Sequence, residues 1–307
     1  MLPLPDATGT RAPFTWEAAA GPVLSRGPEK WDSGDVLNPS VVRFQDAYLN
    51  VYSGYDGHTW HSGVATSADG IDWKKVGRVL SPSGWEGSYI AANGSAIVEK
   101  GEILYWYVAG EPWQIGLARS HDGLMWTKNP SRVLPTGPRG SFDELAAADP
   151  YVIRRGEFLY MFYTGMDRAR RQRLGVARSQ DGITWEKLRS NPVLELGMPG
   201  AFDEHALGEP AVWTSGGAYW MLYTGSDQGE HRKLGLARSV DGVRWDRGPS
   251  FAPVGGAEEW DSQVVCDPSV EAMADGSVRV WFGGGDVASP DQNLHGQIGM
   301  GVLRGSR

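Results

Sequence analysis

The 307-residue chain contains a single cysteine, Cys266. No internal disulfide can form, which fits a reducing compartment and removes the thiol-rich metal motifs. No stretch approaches the roughly 18 consecutive apolar residues of a membrane-spanning helix. The start, MLPLPDATGTRAPF, lacks the basic-then-apolar order of an export signal. A soluble cytoplasmic protein is expected, with no membrane partner. Positive charge is also scarce: 29 Lys and Arg stand against 37 Asp and Glu, a net charge of -8. A phosphate backbone needs clustered cations to displace its counterions, so nucleic acid is not an expected partner.

What the chain has in abundance is glycine (42), proline (19) and tryptophan (14). That mixture suits many short strands joined by tight turns. The turns repeat. SADGIDW at 67–73 returns as SHDGLMW at 120, SQDGITW at 179 and SVDGVRW at 239, at spacings of 53, 59 and 60. Asp-Gly is a hairpin signal because glycine readily takes positive φ. Before each turn lies an apolar strand ending in glycine: YLNVYSG, ILYWYVAG, FLYMFYTG, AYWMLYTG and, a fifth time, VRVWFGG. Shorter apolar runs precede these, PSVVRF, GSAIVEK, PYVIRR, PAVWTS and PSVEAM, so each unit has four strands.

The fifth unit ends after its third strand, without a DGxxW segment. The missing piece stands at the other end, where WEAAAGPVL (16–24) matches WEKLRSNPVL (185–194). The expected fold is all-β, one domain over 1–307: a five-bladed β-propeller of four-stranded antiparallel blades. An N-terminal strand within 14–24 completes the last blade and hides a sheet edge.

Internal repetition separates scaffold from site. Trp16, Trp73, Trp126, Trp185 and Trp245 occur in every unit and are expected to pack between blades. An aromatic-acid pair also recurs, Trp31-Asp32, Trp85-Glu86, Phe142-Asp143, Phe202-Asp203 and Trp260-Asp261, and most of these acids are read as structural. Seven or eight positions after the aromatic of each pair the repeats diverge into Asn38, Asn93, Asp149, Glu209 and Asp267, four of them before proline. Inner strands line a propeller's axis, so these five side chains should converge on one funnel. The loops between second and third strands should share its mouth; they carry Trp60, His61, Trp113, Arg168 and Arg170 among others.

Crowded carboxylates can separate their pKa values, which supplies an acid and a base at neutral pH. Glycoside cleavage uses such a pair, and Trp60 and Trp113 could stack on a sugar ring. Cys266 beside Asp267 is read as a buried small residue rather than a nucleophile. His58, His61 and His295 lack a metal-binding spacing, so no metal site is assigned to them. No cofactor is required, although the three acids could take a calcium ion.

The repeat with its DP and EP steps resembles the five-bladed propeller glycosidases of families 43 and 32 over almost the whole chain. The resemblance implies that Glu209 is the general acid and that Asp149 tunes pKa and holds substrate. In that group an Asp of the first blade is base or nucleophile, and here the position is Asn38-Pro39, which cannot take a proton. Three readings follow. In the first, another carboxylate stands in as base, namely Asp267, Asp32 or Asp35. In the second, phosphate attacks instead, held by the arginines from Arg168 to Arg173, although the Asp-Pro-Arg of related phosphorylases is absent from the second blade. In the third reading the propeller binds carbohydrate without catalysis, Asn38 and Asn93 serving as hydrogen-bonding groups. The expected ligand is a small saccharide or glycoside.

Overall fold

A computed structural model describes residues 14–248 and 254–305. Its strands fall into five successive groups. The first joins β1 (Phe14–Ala18) to the end of the chain, as described below. The second contains β2 (Asp35–Phe44), β3 (Ala47–Tyr55), β4 (Trp60–Ser67) and β5 (Lys74–Leu80). The third contains β6 (Ala91–Glu99), β7 (Glu102–Ala109), β8 (Gln114–Ser120) and the two-residue β9 (Thr127–Lys128). Next come β10 (Ala146–Arg155), β11 (Phe158–Met166), β12 (Gln172–Ser179) and β13 (Glu186–Lys187), then β14 (Ala206–Ser215), β15 (Ala218–Ser226), β16 (Arg232–Ser239) and β17 (Asp246–Arg247). The last strands are β18 (Val264–Ala272), β19 (Val278–Gly285) and β20 (Gln297–Gly305). Within each group neighbours pair antiparallel in chain order. Single parallel bridges, Gln172 to Ala206 and Arg232 to Val264, join three groups into one longer sheet.

The two ends of the chain meet. β1 pairs antiparallel with β20, Trp16 opposite Leu303, and a further bridge joins Leu24 to Ile298. The equivalent leucines and valine after other turns, Leu134, Leu194 and Val254, bridge Ile115, Leu174 and Leu234 in the same way. The PVL segment therefore does at the N-terminus what it does inside the chain. The first strands of the groups also touch in order, β2 on β6, β6 on β10, β10 on β14, β14 on β18 and β18 back on β2.

Two repeated devices hold the groups together. In four turns a serine hydroxyl accepts the glycine N–H and the aspartate Oδ1 accepts the next two N–H groups, as Ser179 and Asp181 do for Gly182, Ile183 and Thr184. These glycines have φ between +72° and +80°. The turn tryptophans pack toward neighbouring groups: Trp185 stands edge-on to Trp106 at 5.9 Å, Trp245 to Phe162 at 5.8 Å and Trp73 to Trp281 at 6.4 Å.

The aromatic-acid pairs are the second device. Asp143 accepts from the Tyr163 hydroxyl at 2.9 Å and from Lys187 Nζ at 2.5 Å. Asp32 binds Tyr52 and Lys75, Glu86 binds Tyr107 and Lys128, and Asp203 binds Tyr223 and Arg247. Each carboxylate is buried against the second strand of its group and neutralised by a cation two residues after the turn tryptophan. The last group breaks the rule, with Phe282 in the tyrosine position and Ala18 in the cation position. Its Asp261 caps the backbone N–H of Glu258, and burial raises its pKa.

Candidate active site

Each first strand contains the same irregularity. Pairing skips between Leu37 and Ser40, Ala92 and Ser95, Ala148 and Tyr151, Gly208 and Ala211, and Cys266 and Ser269. Two residues there oppose one, which is a β-bulge. The first bulged residue is left-handed in every case: Asn38 (φ 49°), Asn93 (52°), Asp149 (46°), Glu209 (53°) and Asp267 (53°). The bulge turns that side chain toward the common centre. All five, with the residues that follow them, line a narrow space of about 30 Å³. Above it opens a cavity of about 850 Å³ that the same five line.

Asn and Asp tolerate left-handed backbone because their short polar chains bond locally, so four of the five residue types suit the bulge itself. Glutamate has no such excuse. Glu209 sits at a strained position for reasons its backbone does not supply, the pattern met at functional sites.

A hydrogen-bonded girdle connects the five. The Asn38 side-chain amide donates to Asp267 Oδ1 at 2.6 Å and its backbone N–H to Oδ2 at 3.2 Å. Asp267 N–H donates to Glu209 Oε2 at 3.0 Å and Glu209 N–H to Thr164 Oγ1 at 3.3 Å. Thr164 and Asn93 side chains hydrogen-bond Asp149, and Asn93 is held in turn by Ser53 Oγ. Burial, then the charge of Glu209, pushes Asp149 up to about 7, against the pull of Thr164, Asn93 and Arg232. Burial and the same neighbour raise Asp267 well above the usual carboxylate range, opposed by the Cys266 thiol and Arg232. The site thus holds protons at neutral pH that isolated carboxyls would have lost.

The cavity is also lined by Trp60, Tyr89 and Trp113, by Glu111, Arg170, His205, Glu230 and Asp291, and by Arg232, whose charge acts on the acids of the floor. Trp60 is stacked on Tyr55 at 4.9 Å and is only 4% exposed, so little of its ring is open to a ligand; Trp113 is more open. Four expected residues do not line this cavity. Asp32 is buried in its tyrosine-lysine triad. Asp35 accepts the backbone N–H of Asn293 at 2.6 Å and of Gly296 at 2.7 Å, buttressing a loop from behind. His61 is buried between Ser81 and Asp56. Arg168 pairs with Glu144 and, with Arg171 and Arg173, lines a separate surface pocket. Of that arginine run only Arg170 reaches the central cavity. His58, His61 and His295 are not gathered; His295 pairs with Asp286.

Arg232 is a further functional candidate, and the structure alone brings it to the site. It opens β16, where the other groups have Trp60, Gln114, Gln172 and Gln297, so it breaks the symmetry as Glu209 does. Its Nη2 donates to the carbonyls of Ser289 and Pro290, leaving its charge to act on Glu209 and Asp267.

Calcium suits this centre poorly. Glu209, Cys266 and Asp267 offer donor atoms within 4.8 Å of one another, but one is a thiol and the Asp267 oxygens already accept protein donors. Calcium needs six to eight oxygens, so no step is assigned to it.

Residues 41–261 match the model of the glycosyl hydrolases family 32 N-terminal domain. The chain belongs to this family. Within 234 aligned residues it is 30% identical to the uncharacterized proteins Rv1502 and MT1551 of Mycobacterium tuberculosis, covering 68% of this chain and 75% of theirs. Solved family and fold relatives share the architecture at lower identity. A family 117 glycoside hydrolase, Zg3597 of Zobellia galactanivorans, superposes with a TM-score of 0.71 at 16% identity, over 94% of this chain and 90% of that one. The family 32 β-fructofuranosidase BmSUC1 of Bombyx mori gives 0.67 at 18%, over 92% of this chain and 61% of the longer enzyme. A structure from the GH130 family, described as mannoside phosphorylases containing glycoside hydrolases that target β-1,2 mannosidic linkages, gives 0.73 at 18%, over 96% and 95%. The chain therefore has the all-β, propeller-type fold of glycoside hydrolases.

Proposed function

We propose that this family 32 member is a five-bladed propeller closed by β1 that cleaves a glycosidic bond of a small saccharide or glycoside in the central cavity. The observation that carries the reading is the contact of Glu209 with Asp267, beside Asp149, at the floor of that cavity. Glu209 is the general acid that protonates the leaving oxygen. Asp149, titrating near neutrality, sets the proton balance around it, and Asp267 takes the place of the missing first-blade carboxylate. Asp32 and Asp35 are not candidates for that place, because both are committed to buried structural bonds.

Arg232 and Arg170 favour phosphorolysis as a second reading, since two cations in one cavity could hold an attacking phosphate. Non-catalytic binding is less well supported, because Asn38 spends its amide on Asp267 instead of offering it to a ligand.

The test is a panel of natural and aryl glycosides, assayed with and without phosphate, on wild type and Glu209→Gln. The variant should lose about 10²- to 10⁴-fold in rate on natural glycosides and far less on aryl glycosides whose leaving group needs no proton. Saccharide binding by wild type with no turnover in either buffer would overturn catalysis.

A further inference from the structure

The loop between β11 and β12 and the loop between β15 and β16 fold alike. In each, an aspartate accepts the backbone N–H groups two and four residues on: Asp167 from Ala169 and Arg171, and Asp227 from Gly229 and His231. The fourth residue of both is left-handed, Arg170 at φ 59° and Glu230 at φ 63°, and both line the central cavity. Other positions differ. Where the second loop and its strand have Gln228, His231 and Lys233, the first have Arg168, Arg171 and Arg173. Three arginines in one copy of a repeated turn break the symmetry without serving the turn.

These arginines line a second space of about 630 Å³ beside the cavity. One stretch of chain walls both: Met166, Arg170 and Gln172 border the cavity, while Asp167, Arg168, Arg171 and Arg173 border the pocket. Lys187 and Arg189 bring the cations of the pocket to five, against the three acids Asp143, Glu144 and Asp167, an excess of two positive charges. Glu195, 3.2 Å from Arg173, lowers that excess by one, and Arg139, whose charge acts on Glu144, restores it. In a chain of net charge -8 the local sign is inverted.

Each acid is matched, Asp143 by Lys187, Glu144 by Arg168, and Asp167 by Arg171 and Arg173. Donors remain. Arg189 is exposed and has no acid partner among the described residues. Arg173 is 9% exposed, yet its buried Nε has no acceptor among them. A buried donor normally has an acceptor in protein, water or ligand, and every guanidinium carries five N–H groups, so the pocket is short of acceptors.

We propose that this pocket binds an oxyanion: the carboxylate, sulfate or phosphate group of an acidic saccharide whose neighbouring unit lies in the central cavity, across the shared wall. Guanidinium forks suit such groups because they give two parallel hydrogen bonds to a pair of oxygens. Oxyanion binding needs nothing from catalysis. Its link to the cavity rests on the glycosidase reading and narrows the substrate to acidic glycosides.

The experiment follows the arginine Nε–Hε resonances of the full chain as glucose 6-phosphate, glucuronate, inorganic phosphate or neutral glucose is added, at low ionic strength to limit screening. Glucose 6-phosphate and glucuronate should shift the Arg168 and Arg189 signals saturably, and glucose should not. Arg168→Gln and Arg189→Gln should each weaken binding by about 10-fold, the effect of losing one charge-assisted hydrogen bond. Arg178→Gln, which removes a pairing with Glu186 outside the pocket, should change nothing. Arg189→Gln breaks no ion pair and decides the matter if Arg168→Gln does not fold. Absence of a saturable shift at Arg168 and Arg189, or shifts confined to Arg170 and Arg232, would overturn the proposal. Inorganic phosphate binding as tightly as glucose 6-phosphate would support the oxyanion site and overturn its saccharide source. Oxyanion binding at this pocket in a protein that cleaves no glycoside, acidic or neutral, would overturn the enzymatic reading alone.

Discussion

Lys187 Nζ lies 2.5 Å from Asp143 Oδ2, at a carboxylate that is 1% exposed. Removing the lysine strands a buried charge, which typically costs about 3 to 5 kcal/mol. Lys187→Met should therefore lower the unfolding free energy by about 3 kcal/mol in urea titrations. Arg178→Met, which removes an exposed pairing with Glu186, should change it by less than about 1 kcal/mol. Equal effects would show that the acid-cation pairs are not the fold's internal staples.

Asp261 tests the same idea from the opposite direction, since no cation pairs with it among the described residues. Its folded pKa is raised by burial, so the native state keeps a proton that the unfolded chain releases, and stability falls as pH rises through that window. Asp261→Asn should be close to neutral at pH 4 and stabilising at pH 8, read from thermal midpoints. A variant that destabilises more at pH 8 than at pH 4 would contradict this.

Asp149 has the same sign and a defined range. With a folded pKa of about 7 against the ordinary aspartate value of 3.8, the folded protein binds the extra proton between those limits. Its contribution makes stability decline between about pH 4 and 7, at no more than about 1.4 kcal/mol per pH unit. Asp149→Asn should flatten that decline in denaturant series from pH 4 to 8. Because the same proton balance serves Glu209, the pH optimum of any turnover should shift in this variant as well.

Gly175 lies on β12 where a Cβ would stand 2.3 Å from the Phe142 ring. Equivalent positions in the other groups, Gly63, Gly116, Gly235 and Gly299, meet aromatic rings in the same way. Gly175→Ala should cost about 1 to 3 kcal/mol by forcing the ring aside. Gly305→Ala, with open space around it, should be tolerated. Calorimetry on the two variants compares them directly.

The repeat was legible because it is written in residues whose roles are local. Asp-Gly needs a positive φ at glycine, the turn tryptophans recur at one offset, and the N-terminal Trp16 to Leu24 segment copies the segment its repeat lacks. The five bulge positions were legible too, as the place where repeated strands stop agreeing. Side-chain direction was not. Asp35 precedes Asn38 by three residues, and a strand alternation broken by a bulge does not reveal which of them faces the axis. Arg168 and Arg170 share a loop, yet one pairs with Glu144 at the periphery and the other reaches the cavity. Arg232 stands at the first position of a repeated strand, just past the loop, and only packing shows that it borders the acids at the floor of the cavity.

The sequence by itself determined the all-β repeat, the complementary chain ends and the set of acids and amides that break the symmetry, because each depends on period and residue type. Only the tertiary structure decided that Asn38 grips Asp267, that Asp32, Asp35, His61 and Arg168 turn away, and that Arg232 joins the site. Those facts depend on distances between residues as many as 261 positions apart, and bulges and loops set such distances through backbone angles that residue type alone does not fix.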